Sequence, residues 1–297
     1  MPELPEVETV RRGLSPVMEG AVFTRVEQRR PNLRFPFPEG FASRLTGARL
    51  ERFDRRGKYL VAVLSTDEAL IMHLGMSGRF TVMPVDRAAR GAPPKDGPAL
   101  ALFHYEMPGN PAHDHVVFHM AGPAGRVRVT YNDPRRFGFM DLVAGDDLDQ
   151  CQHFAKMGPE PLSNQFSPAA FSDAFRGKTT TIKAALLDQR VVAGVGNIYA
   201  CEALFRAGIS PRRQAKTVAG RRADRLRSAV VDVLREAIEA GGSSLRDFRN
   251  AEGALGYFQH RFQVYDRAGA PCPACGAEVK RVVQSARSTF YCGRCQR

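Results

Sequence analysis

Residues 272–295 read CPACGAEVKRVVQSARSTFYCGRC, with two CxxC pairs, Cys272/Cys275 and Cys292/Cys295, separated by sixteen residues. A CxxC turn brings two sulfurs to one side of a backbone knuckle, and two knuckles close a tetrahedral thiolate cage around zinc. No fifth ligand is in view, so the spacing predicts one structural Zn2+ on Cys272, Cys275, Cys292 and Cys295. A pair of redox CxxC motifs is the alternative, and two pairs at finger spacing disfavour it. The other cysteines, Cys151 and Cys201, read as core residues. The finger is basic, with Lys280, Arg281, Arg287, Arg294 and Arg297 against the single acid Glu278. Arg287, between the knuckles, falls near the expected tip of a β-hairpin, where it is placed to grip phosphate.

Working back from the finger, the hydrophobic period is helical from about residue 150. Ser167-Pro168 reads as N-cap and first position of a helix running to Gly177. A second helical stretch covers about 180–189, and a third begins after Gly196-Asn197 and stops at Gly208. The clearest helix spans about 221–240, with Leu226, Val230, Val233, Leu234, Ala237 and Ile238 on one face and Gly241-Gly242 ending it.

From about residue 20 to 143 the pattern belongs to strands. YLVAVLS (59–65), ALIMHLGM (69–76), VVFHM (116–120) and RVRVTY (126–131) are apolar, β-branched and bounded by turn formers. Residues 84–114, rich in Pro, Gly and Ala, interrupt them as a long surface excursion, part strand at ALALFHYEM (99–107). Residues 2–14 read as an amphipathic helix, with Pro5 early, Glu6 and Glu8 near the positive end of the dipole, and Val7, Val10 and Leu14 at helical spacing. Such a run of strands suggests a β-sandwich or barrel. The order predicts a multidomain α+β chain: a β domain over 1–146, a helical domain over 147–256 and a zinc finger over 257–297.

Lys and Arg outnumber Asp and Glu by 43 to 31, a formal charge of +12 on 297 residues. A surplus of that size points to a polyanionic partner, with nucleic acid the commonest and plain solubility the alternative. No apolar run approaches the ~18 residues of a membrane span. The acidic, proline-broken start MPELPEVETVRR lacks the basic flank and apolar core of a secretory signal. A cytosolic location follows, where thiols stay reduced and a disulfide framework is not expected.

Pro2-Glu3 gains meaning from its position. Removal of Met1 would leave a proline secondary amine, and an α-amino group titrates near ~8, so a useful fraction is an unprotonated nucleophile at neutral pH. Glu3 beside it has the chemistry of a general acid or base.

MPELPEVETVRRGL (1–14), RRGKYL (55–60), HLGMSG (73–78), NDPRRFG (132–138), MGPEPL (157–162), VVAGVGNIYACEALF (191–205) and STFYCGRCQR (288–297) resemble, in order and along nearly the whole chain, bacterial formamidopyrimidine-DNA glycosylase. The resemblance implies an N-terminal β-sandwich, a helix–two-turn–helix domain and a zinc-finger hairpin. It implies an enzyme of base-excision DNA repair that excises oxidised purines such as 8-oxoguanine and formamidopyrimidines. By the same resemblance Pro2 attacks C1′ of the damaged nucleotide, forms a Schiff base and cuts the strand by β- and δ-elimination. Glu3 protonates the sugar ring oxygen, and Lys58 contacts the phosphate beside the lesion. Asn197 and Arg287 bind backbone phosphates, and Arg287 donates the proton for δ-elimination. Met76, Arg135 and Phe137 match a trio that fills the void left by the extruded base, a hole that costs a few kcal/mol. Read without the resemblance, Lys58 is a surface lysine, Asn197 a helix cap, Arg135 a surface charge, and Met76 and Phe137 core residues.

That trio and the PELPEVET opening favour oxidised purines over the oxidised pyrimidines of an endonuclease VIII-like enzyme. A DNA binder without chemistry would not need Pro2, Glu3 and Lys58, and a zinc-ribbon protein of RNA metabolism would not explain the first 140 residues. Three features depart from the pattern: the length of 84–114, Arg246 where relatives often carry Lys, and the alanine-rich NAEGALGYF (250–258) at the loop expected over the extruded base. The implied partner is damaged double-stranded DNA, bound by a monomer in the cytoplasm and through DNA at the nucleoid.

Overall fold

A computed structural model of the chain describes residues 1–85, 110–243 and 257–297. Arg246, most of the 84–114 excursion and residues 250–256 lie outside the described residues. The chain divides into two compact units, one mainly Glu6–Phe154 with Met1–Pro2 and Ser243, the other mainly Ala155–Gly242 and Tyr257–Arg297 with Glu3–Pro5.

The first unit is a β-sandwich. One antiparallel sheet contains β1 (Val22–Gln28), β6 (Asp114–Gly122), β7 (Gly125–Asn132) and β5 (Arg79–Pro84) in that order. The other contains β2 (Leu50–Arg56), β3 (Tyr59–Leu64), β4 (Glu68–His73) and β8 (Phe139–Ala144). Phe23, Phe118, Val129 and Tyr131 from the first sheet and Phe53, Leu60, Leu70 and Met72 from the second form one buried cluster. Helix α1 (Leu4–Met18) adds Val7, Val10, Leu14 and Val17 to that core, so the face foreseen for residues 2–14 is the buried one. The short helix α2 (Phe41–Leu45) contributes Phe41 and Leu45. Each fully buried side chain of this size contributes roughly 1.5–3 kcal/mol. β3 and β4 are nearly continuous apolar runs because both of their faces are covered. β4 ends at His73, three residues short of the stretch expected to be strand, and Met76 lies in the following turn.

The second unit is helical, with a metal-type hairpin. Ser167 Oγ accepts from Ala170 N to cap α3 (Pro168–Asp173), and Thr181 Oγ1 accepts from Ala184 N to cap α4 (Ile182–Leu187). Helix α5 (Asn197–Arg206) is followed by α6 (Arg221–Glu239), whose buried face contains all six residues picked out by its periodicity. Gly241 and Gly242, at φ +74° and +80°, then take the left-handed turn that stops it. The finger strands β9 (Val279–Gln284) and β10 (Arg287–Cys292) pair antiparallel around a Ser285-Ala286 turn. Cys201 of α5 is buried in the same apolar cluster as Val279, Phe290 and the zinc-type cysteines, as expected of a core residue. Cys151 is only partly buried, a correction to its reading as core, because it lies in an irregular segment beyond the last strand of the sandwich. No helix among the described residues is long and apolar enough to cross a membrane.

Candidate active site

The glycines of VVAGVGNIY make room for the start of the chain. Leu4 N donates to Gly194 O at 3.1 Å, and Gly194 sits at φ +80°, where a Cβ would press on the Leu4 side chain. A Cβ on Gly196 would collide with the Glu3 carboxyl carbon. With neither present, Glu3 is buried against the N-terminus of α5, and its Oε1 accepts from Ile198 N at 3.0 Å. A carboxylate is favoured there by the free N–H groups and the helix dipole. Gly196, at the N-cap, supplies no side-chain cap of its own, so Glu3 from the far end of the sequence takes part of that role.

The hairpin is anchored just behind Arg287. The Ser288 carbonyl accepts from Asn197 Nδ2 at 3.0 Å and from Lys183 Nζ at 3.1 Å, and Lys183 also donates to Thr289 Oγ1 at 2.6 Å. Lys183 and Thr289 are buried. Burial pulls the Lys183 amine below the usual lysine range, and the nearby Arg287 charge adds to the effect. Arg287 itself is exposed beside the turn. The carboxylate of buried Glu202 accepts from Gln263 N, Val264 N and Tyr265 N at 2.8–3.0 Å, tying α5 to the segment that enters the finger. Gln296 accepts from Cys292 N at 2.8 Å and donates to Ile209 O at 3.0 Å, tying the second knuckle to the loop after α5.

The four finger sulfurs all lie within 4.8 Å of one another, with Cys275–Cys292 at 3.5 Å and Cys272–Cys295 at 3.9 Å. Zinc–sulfur bonds of ~2.3 Å in a tetrahedron place sulfurs about 3.8 Å apart, so the cage fits one structural zinc ion. With all four positions filled by protein, zinc there supplies folding energy and no open coordination site.

In the first unit Lys58 is buried at the second position of the two-residue turn between β2 and β3, where Gly57 takes φ +56°. Its positive charge bears on His73, whose imidazole is held down to about 4 by burial first and then by Lys58 and Arg34. The neutral ring accepts from Gly75 N through Nδ1 at 3.1 Å, which shapes the turn carrying Met76.

Met76, Arg135 and Phe137 all reach the surface. Met76 is 37% and Phe137 43% exposed, far from the core positions their hydrophobicity suggests, and the Arg135 guanidinium lies 4.6 Å from the Phe137 ring centroid. Their two loops share one buried carboxylate. Asp133 Oδ1 accepts from Ser77 Oγ at 2.5 Å, and Oδ2 accepts from Gly138 N at 2.9 Å and from Tyr131 Oη at 3.3 Å. Ser77 Oγ in turn accepts from Arg135 N at 3.3 Å. A Cβ on Gly78 or Gly138 would strike the Tyr131 hydroxyl, so this junction requires glycine at both places.

Each unit thus collects part of the expected site. The first holds Pro2, buried, with Lys58, Met76, Arg135 and Phe137, and the second holds Glu3, Asn197, Arg287 and the four cysteines. The sequence reading missed Asp133, Lys183, Glu202 and Gln296. Only Lys183 carried a local signal, a lone cation inside the apolar run TIKAALL.

Comparison with known proteins gives the family. Family models described as the formamidopyrimidine-DNA glycosylase N-terminal domain, the H2TH domain of that enzyme, and a zinc finger found in FPG and IleRS match residues 1–140, 157–249 and 269–297. Together they describe one class, a DNA glycosylase with a helix–two-turn–helix domain and a zinc finger. The formamidopyrimidine-DNA glycosylase of Beijerinckia indica is 57% identical over 305 residues, covering all of both chains. The crystal structure of the MutM (Fpg) protein of Thermus thermophilus is 38% identical with a TM-score of 0.81, covering 99% of this chain and 98% of that one. Wild-type Lactococcus lactis Fpg, solved with DNA containing N7-benzyl-Fapy-dG, is 33% identical with a TM-score of 0.82 over all of both chains. The chain belongs to the formamidopyrimidine-DNA glycosylase family.

Proposed function

We propose that this chain is a base-excision repair enzyme, a bifunctional DNA glycosylase and abasic-site lyase that removes oxidised purines from duplex DNA. The observation that carries the reading is the burial of Glu3 at the N-terminus of α5, next in sequence to Pro2. A carboxyl group held there beside a potential secondary amine is the pairing that Schiff-base chemistry needs. The Lactococcus lactis complex with a Fapy-dG-type lesion supports the same class of substrate by kinship.

In this mechanism the Pro2 amine, free once Met1 is removed, attacks C1′ and the C1′–N bond to the base breaks. Glu3 delivers a proton to the sugar ring oxygen as the ring opens, and the C1′–N bond to proline becomes the Schiff base. Loss of the 3′ and then the 5′ phosphate by β- and δ-elimination completes the nick, with Arg287 as proton donor in the second step. Lys58, Asn197 and Arg287 hold phosphates, with Arg246 as a further DNA contact. Met76, Arg135 and Phe137 fill the emptied stack; their exposure and the guanidinium–ring contact suit a wedge. We assign lesion chemistry to residues 1–146, duplex binding to 147–256 and a backbone grip to the finger at 257–297. The enzyme acts as a monomer in the cytoplasm, at the nucleoid through its DNA.

Borohydride trapping on a duplex with one 8-oxoguanine opposite cytosine, followed by mass mapping of the adduct, tests the reading. A covalent adduct at Pro2, abolished in Pro2→Gly, is the expected result. Normal excision by Pro2→Gly, or no adduct from protein verified to lack Met1, would overturn it.

A further inference from the structure

The outer face of the β2-β3-β4-β8 sheet carries a cleft that the glycosylase reading leaves without a role. It encloses about 380 Å3 and is lined by Arg34, Phe35, Tyr59, Phe139, Asp141 and His153, among others. That volume falls in the range of small-molecule sites, roughly 300–1,000 Å3.

Tyr59 and Phe139 of its lining belong to an aromatic row. Tyr59, His73 and Phe139 are register neighbours across β3, β4 and β8. Phe139 stacks between His73, at 5.4 Å and 15°, and His153, at 5.0 Å and 28°. His153 Nε2 lies 2.8 Å from Asp141 Oδ2, and Gln152 Nε2 donates to the same oxygen at 3.4 Å. These groups are explained by covering the sheet. The lip of the cleft is not.

Phe35 stands at the lip with half its surface in solvent, edge-on to Phe139 at 5.4 Å and 68°. The Arg34 guanidinium lies 5.2 Å from the Phe35 ring centroid and forms no ion pair with a described residue. Backbone bonds hold both residues in place: Arg34 N donates to Gly138 O at 3.1 Å, and Leu33 N to Phe35 O at 3.0 Å. An ordered, half-exposed ring offers a stacking surface for any base, because every base has a π-face. A guanidinium without a carboxylate partner offers a fork for phosphate oxygens. The pair stands over a cleft with room for one nucleotide, and the Asp141 carboxylate on its wall can accept from a base edge.

We propose that this cleft binds a single unpaired nucleotide, its base against Phe35 and its phosphate on Arg34. The nucleotide is either free or the unpaired end of a DNA strand; both share the same chemistry. The site stands independently of the excision mechanism, because its test reads binding alone.

The chain contains no tryptophan, so Phe35→Trp places a single indole at the lip. Its fluorescence is followed on titration with dGMP, and separately with undamaged duplexes that are blunt or carry one unpaired 3′ nucleotide. Saturable quenching by dGMP identifies a free-nucleotide site. Quenching by the overhang duplex at tenfold lower concentration than by the blunt one identifies a strand end. In either case Arg34→Gln should weaken the response at least tenfold. Saturation-transfer NMR of dGMP with the unsubstituted protein, and with Arg34→Gln, gives the same readout without the indole. No transfer to dGMP at millimolar concentration together with equal responses to blunt and overhang duplexes would overturn the proposal. So would binding that Arg34→Gln leaves unchanged.

Discussion

The loops that present Met76, Arg135 and Phe137 and the hairpin that presents Arg287 do similar work by different physical means. In the sandwich one buried carboxylate, Asp133, gathers hydroxyl and amide donors from two loops and its own strand, with glycines clearing the space around it. In the helical unit the hairpin has too little apolar surface of its own, and a metal cage supplies the missing order, helped by Lys183, Asn197 and Gln296. A carboxylate hub works where a large core already surrounds it, since a buried charge is tolerated only when its hydrogen bonds are complete. A small module with little core of its own needs a bond stronger than packing can give.

Four perturbations separate these two kinds of support. The largest effect is expected from Cys292→Ser. Structural zinc is worth about 10–16 kcal/mol to folds of this kind, so the variant should lose zinc by elemental analysis and duplex affinity by anisotropy together. Undiminished binding by zinc-free protein would refute the metal as the finger's support.

Asp133→Ala comes next. It leaves the Gly138 N–H and the Tyr131 and Ser77 hydroxyls without their acceptor, at roughly 1–3 kcal/mol for each group that stays unsatisfied. Urea unfolding should show a loss of about 3 kcal/mol with zinc content unchanged. A loss within error would mean the loops are held by packing alone.

The third is a pH effect. His73 titrates at about 4 in the folded protein against 6.5 for a free imidazole, with burial the leading cause. Its folded pKa is depressed, so the unfolded chain takes up the proton first as pH falls. The stabilisation is therefore complete above pH 6.5 and lost progressively between 6.5 and about 4. Discounted for partial exposure, it is on the order of 2 kcal/mol. His73→Asn, which can still accept from Gly75 N, should flatten the stability profile across that window; an unchanged slope would remove His73 from the account.

The smallest effect is a gain. Ser285 and Ala286 both hold positive φ, +49° and +57°, in the two-residue hairpin turn. Turns of that shape favour glycine, and an L-residue there costs roughly 1–2 kcal/mol. Ala286→Gly should raise the melting temperature of the zinc-loaded protein slightly and slow zinc loss to a chelator. A lower melting temperature would show that the alanine is not strained.

How far the sequence could be read depended on distance along the chain. The zinc cage was legible because CxxC turns are local and their chemistry leaves few alternatives. The helices at 182–187, 197–206 and 221–239 were legible through period and caps, and their ends were less so: the helix expected to reach Gly177 stops at Asp173, and the chain continues to Gly177 in turns that still bury Phe175 against Phe171. Hydrophobicity by itself assigned Met76 and Phe137 to the core, because the character of a side chain does not say which way its loop turns; only the resemblance placed them outside, where they stand.

By itself, then, the sequence determined the β–helical–finger order and the zinc ligands, and it set an amine and a carboxyl group side by side at Pro2-Glu3, since each is written in local pattern. Tertiary structure alone decided that Glu3 caps a helix 195 residues away, that Lys183 holds a strand 106 residues on, and that Asp133 binds a loop 56 residues before it. A hydrogen bond spanning such separations has no period or spacing in the chain, because its partners meet only after the cores that carry them have formed.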